Sequence, residues 1–138
     1  MNPILRNIIA VIVGVVIGSL VNMGIITISS SIIPPPEGVD LSNMESLKEA
    51  MPLFGPKNFI MPFLAHALGA LVGAFLAAKI AASHKMKFAL VIGGFFMLGG
   101  FMAASMLPAP MWFNVVDIAL AYIPMAWIGG RCAMPKNG

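Results

Sequence analysis

Asp117 is the one acidic side chain inside any long apolar run of this sequence, and His66 is the one histidine inside them. An ionisable group in a membrane span is costly, faces other helices or a water-filled cavity, and marks a site by default. Asn114 precedes Asp117 by three residues and shares its helical face. Asn22 supplies a further amide from the first apolar run. A histidine and a carboxylate at one depth are expected to pair, burial favouring neutralisation of one against the other. The chemistry on offer is proton exchange, or the binding of an ion or small solute.

Other chemistries find less. One histidine and one aspartate are too few for zinc, which takes four ligands or three and a water. Met97, Met102 and Met106, with Met111 beyond the next turn, offer thioethers that suit Cu(I). Methionine is equally a flexible apolar filler. Ser29, Ser30 and Ser31 lack the adjacent base that a nucleophilic serine requires; His66 reaches them only if the first two helices adjoin. No Gly-rich phosphate loop follows a strand, and the single cysteine, Cys132, cannot form an internal disulfide. The expectation is therefore a non-enzyme with no cofactor.

These residues need elements to hold them. Of 138 residues, 59% are hydrophobic and 9% charged, against about 25% charged in soluble domains. Lipid must be the solvent for most of such a chain. The net charge of +3 then reflects topology, and no nucleic-acid partner is expected. Residues 1–138 read as one all-α membrane domain, a bundle of four transmembrane helices over about 7–33, 58–82, 88–107 and 111–130. The first run is too long for a cleavable signal peptide and has no small-residue cleavage pattern before Pro34.

Gly14, Gly18, Asn22 and Ser29 fall near one face of the first span. Ala65, Gly69, Gly73 and Ala77 form an unbroken small-residue ladder on the second. Such spacings let helices approach closely in membranes, and a polar neighbour can bond across the contact. Pro34, Pro35 and Pro36 end the first span. In the outer loop 34–57, Ser42 and Glu45 match a capping box. Leu41, Met44, Leu47 and Met51 then recur at helical spacing, predicting a short periplasmic amphipathic helix. It would lie on the membrane surface or cover the mouth of the bundle, the surface being the simpler expectation. Pro124 should bend the last span.

Arg6, Lys79, Lys85, Lys87, Arg131 and Lys136 fall on the side of both termini and the basic loop 83–87; only Lys48 and Lys57 fall opposite. Such a bias places both termini in the cytoplasm of a bacterial inner membrane. Trp112 and Trp127 mark the two interfaces of the last span. Asp117 then lies roughly 10 Å, and His66 roughly 12 Å, below the outer end. Asn22 is somewhat deeper, and no ionisable residue is evident further in.

Pro34-Pro35-Pro36-Glu37-Gly38-Val39-Asp40, the stretch Ala65-His66-Ala67-Leu68-Gly69 and the closing Pro108-Ala109-Pro110-Met111-Trp112-Phe113 resemble a group of small four-span bacterial inner-membrane proteins without an assigned activity. The resemblance spans most of the chain and carries no catalytic residues across. Two functions stay open. One is a transporter or channel-like protein for protons, ions or a small solute, with an outward-facing pocket built on Asp117, His66, Asn114 and Asn22. The other is a non-catalytic accessory or scaffold subunit whose polar layer only joins helices. Four spans enclose little volume, so a homo-oligomer or a membrane partner subunit is expected, in contact with the lipid bilayer.

Overall fold

In the computed structural model, which describes residues 1–135, every regular element is helical. The helices are α1 (Pro3–Ile32), α2 (Met44–Ala50), α3 (Ile60–Ile80), α4 (Lys85–Met106), α5 (Met111–Leu120) and α6 (Ile123–Ala133). Two single 3-10 turns, Met51–Leu53 and Pro56–Phe59, lead into α3. Four segments are long and apolar enough to cross a membrane: Pro3–Ile32, Pro56–Ile80, Lys85–Met106 and Met111–Ala133. This architecture fits a multi-pass membrane protein.

Local chemistry explains the helix ends. Asn2 accepts from the Ile4 N–H at 2.8 Å, with Pro3 behind it needing no partner. Asn43, not Ser42, caps α2, accepting from Ser46 N at 2.8 Å. The cap thus sits one residue later than expected, and Ser42 and Glu45 form no capping box. Ser42 instead gives its backbone N–H to Asp40 at 2.8 Å, forming a turn ahead of the helix.

Small residues set the packing, as they must where lipid removes most of the hydrophobic drive between helices. α3 is the central helix, with α1, α4 and α6 against it. A Cβ built on Gly14 would lie 2.8 Å from the Gly73 carbonyl oxygen, and one on Gly18 would lie 2.7 Å from that of Gly69. The reciprocal contacts are as close, at 2.6 and 2.9 Å. Backbone therefore meets backbone along α1 and α3. Gly129 brings α6 onto the Leu71 carbonyl of α3 in the same way. Between these contacts lies a core of Ala74, Ala77, Ala78, Ala89, Ile92 and Ala126, all without exposed surface. Ser29, half-buried, donates its hydroxyl back to the Ile26 carbonyl at 2.7 Å.

One end of the bundle is basic and well capped. Arg6 donates to the Ile80 carbonyl, Asn7 accepts from Ala82 N at 2.8 Å, and the Lys85 ammonium donates to Ala81 O at 2.7 Å and Ala78 O at 3.0 Å. Lys85 thereby satisfies carbonyls at the C-terminus of α3, where a cation also opposes the helix dipole. Lys136, counted among the basic residues of this side, lies outside the described residues.

At the other end, Asn58 donates to the Pro34 carbonyl at 3.2 Å. Here α2 packs onto the bundle at its C-terminal end, while Leu41 and Met44 stay 40% and 48% exposed. Ala50 and Met51 are buried, and Met51 joins Phe59 and Phe113 in a cluster that also takes Leu47 and Phe54. The segment caps the bundle.

Candidate functional site

The fourth span is two helices. α5 stops at Leu120 and α6 begins at Ile123, with Pro124 in its first turn, where a missing N–H leaves no ladder position empty. The bend expected at Pro124 is therefore a break, and it redirects the chain's single tyrosine. Tyr122, 2% exposed, donates its hydroxyl to Asp117 Oδ2 at 3.0 Å.

Asp117 lies on α5 and His66 on α3. The His66 Nδ1–H is shared between the two carboxylate oxygens, at 2.8 Å to Oδ1 and 3.0 Å to Oδ2. Because a carboxylate only accepts, these contacts assign the proton to Nδ1 and leave Nε2 as the free ring nitrogen. The imidazole stacks on the Tyr122 ring, centroids 5.8 Å apart and planes 25° from parallel. The Asp117 side chain is 6% exposed and that of His66 23%. The acid is thus enclosed and satisfied, while the histidine keeps an open edge.

That edge borders two cavities. The larger, about 420 Å³, descends from the loop end: along α3 from Met61 to His66, along α4 from Ala104 to Gly100 with Leu107 just past its end, and along α5 from Phe113 to Asp117. His66 and Asp117 form its floor. Leu47, Met51, Phe54 and Phe59 supply an apolar roof, and Asn114, Asn58, Ser29 and Ser30 supply polar atoms to the walls. The smaller, about 240 Å³, lies between α1, α3 and α4 and is lined by Asn22, His66, Gly69, Phe96, Gly99 and Tyr122 among others. Asn22 Oδ1 is buried there without a hydrogen-bond partner. Unsatisfied buried oxygens are uncommon, so this carbonyl is an open acceptor in a cavity that His66 also lines. Further toward the basic end the alanine core closes the bundle.

The residues singled out from the sequence are thus placed unequally. His66 and Asp117 touch. Asn114 shares the large cavity with them. Asn22 faces the small one; of the candidate residues, His66 alone lines both cavities. Gly14, Gly18, Gly69 and Gly73 bring α1 against α3. The methionines diverge: Met97 packs against the cluster of Ala121 and Tyr122, whereas Met102 and Met106 are 64% and 50% exposed. Among the described residues no three His, Cys, Asp or Glu side chains gather in a metal-binding group.

Tyr122 is absent from the sequence-level candidates. Its one signal is its position two residues before Pro124 in an apolar span, which marks a break without saying where the ring turns. Site and fold together fit a multi-pass helical membrane protein with a partly polar cavity among its helices. Comparison of the chain with family models, with curated proteins and with solved structures finds no match in any of the three.

Proposed function

We propose that the protein is a small transport protein that admits a solute or ion from the loop end and binds it above the His66–Asp117 pair. One observation carries this reading. A hydrogen-bonded pair of ionisable side chains forms the floor of a cavity of about 420 Å³, and His66 keeps an exposed edge within it. Pockets of this size accommodate small molecules, with a few placed polar groups to orient them. A helix broken at membrane depth beside such a site also recurs in transporters. The closed alanine core favours a gated carrier over an open channel.

The lysine and arginine bias supports a bacterial inner-membrane location with both termini in the cytoplasm. The cavity then opens to the periplasm, and α2 is a periplasmic cover. The small volume enclosed by four spans supports assembly with further copies or a partner subunit.

The competing reading is an accessory subunit. It draws on the same contacts, because the His66–Asp117–Tyr122 network ties α3, α5 and α6 together and polar bonds between membrane helices are commonly structural. Reconstitution separates the two. Asp117→Asn that folds normally but abolishes proton- or ion-dependent flux into liposomes supports transport. Absence of flux in the wild type, with Asp117→Asn lowering only thermal stability, supports the accessory role.

A further inference from the structure

The charge inventory of the two cavities is unusually short. Among the described residues, Asp117 and His66 are the only carboxylate and imidazole that line either cavity, and no lysine or arginine lines them. α1 contributes Asn22, and α4 contributes Gly99, Gly100 and Ala103. α5 contributes Asp117, and the break contributes Tyr122, whose hydroxyl is engaged by that same carboxylate. The segment above the cavity contributes Leu41, Leu47, Met51 and Phe54 but none of its charged residues.

A carboxylate in so enclosed a place interacts strongly with any nearby charge, because water screens it poorly. Its balance has two sources: a second proton on His66, or a positive charge brought in by a ligand. An anion would add to the negative charge with no cationic side chain to hold it. We propose that the ligand is a lipophilic organic cation, and that its binding expels the exchangeable proton of His66. This rests on the cavity being a solute site, as argued above.

Three features support the exchange. The proton at issue sits on Nε2, since Nδ1 is held by Asp117 in either protonation state of the ring. Phe54, Phe59 and Phe113 line the same cavity, and aromatic faces attract organic cations, more so where water is excluded. The charge balance also closes. Imidazolium and carboxylate sum to zero, as do neutral imidazole, carboxylate and a bound monovalent cation; the released proton passes to water in the cavity. With one proton released for each cation bound, affinity rises with pH by up to about tenfold per unit.

Tetraphenylphosphonium is a suitable probe because its charge is permanent and it carries no proton of its own. The full-length protein in detergent is titrated calorimetrically in buffers of different ionisation enthalpy. Expected are saturable binding, release of about one proton per cation at acid pH, and weakening as pH falls. Asp117→Asn should abolish binding, and His66→Gln should retain binding but lose both proton release and pH dependence. The wild type alone also suffices as a test, with neutral triphenylphosphine oxide and anionic tetraphenylborate as companions. If either binds as tightly as the cation, the charge selection is overturned while the solute cavity stands. Cation binding without proton release overturns the exchange. Failure of all three probes to bind removes support for the cavity as a solute site as well.

Discussion

Tyr122 and Asp117 are five residues apart and hydrogen-bonded to each other, the phenol donating to Oδ2 across 3.0 Å. On a continuous α-helix, positions five apart point about 140° away from one another. The contact exists only because α5 ends and α6 starts anew between them. Broken backbone and satisfied carboxylate are therefore one feature.

Tyr122→Phe removes the donor and keeps the ring that stacks on His66. Oδ2 is then left to the His66 N–H alone. A loss of about 1 kcal/mol is expected, the usual scale for polar contacts between membrane helices, read from the SDS fraction that unfolds the protein in micelles. A loss no larger than that of a surface-facing control such as Leu98→Val would show that the phenol does not hold the break.

His66→Phe and Asp117→Leu should not add. The first leaves an enclosed carboxylate without its main partner, and such half-pairs cost about 3–5 kcal/mol. Removing the acid as well takes away the group that suffers. The double variant is expected to be more stable than His66→Phe alone, in the same unfolding assay. Simple additivity of the two losses would mean that the pair does not act as a unit.

Gly73→Ala and Gly14→Ala force apart α1 and α3, because the new methyl would meet a backbone carbonyl at 2.6 and 2.8 Å respectively. A loss of about 1–3 kcal/mol is expected from such overpacking. Gly24→Ala and Gly94→Ala, where nothing lies within 4 Å, should be neutral or slightly stabilising through helix propensity. Equal effects at all four positions would contradict the proposed contact.

Asn43→Ala removes the cap of α2 at a cost of about 1 kcal/mol and should speed amide exchange over Met44–Ala50. Ser42→Ala should act elsewhere. The Ser42 hydroxyl and backbone N–H both favour the charged form of Asp40, holding its carboxyl below the ordinary value. A depressed carboxyl contributes order above its unfolded-state pKa, and that contribution is lost as pH falls through the folded value. The Asp40 midpoint, followed by NMR, should therefore lie below that of a free aspartate and rise in Ser42→Ala. Asp40 is fully exposed, so only the local turn should respond.

Long apolar runs, bounded by prolines at one end and by lysine and arginine at the other, are enough to read four membrane-crossing helices from this chain. A helix of known rise crossing an apolar layer of known thickness leaves little freedom of length. The same rise puts His66 and Asp117 at one level, and four-residue spacing marks Gly69 and Gly73 as places of close approach. These are one-dimensional properties, and periodicity carries them.

Tertiary structure decided the rest, since rotation about helix axes and the course of loops are set by packing partners far away in the chain. It joined Gly14 to Gly73 and Gly18 to Gly69, and it turned Met102 and Met106 outward. It set Asn22 in a separate cavity from Asn114 and folded α2 over the aromatic cluster of Phe59 and Phe113. Above all it brought Tyr122 to Asp117, a partnership that regular helical spacing forbids and that only a break in the backbone allows.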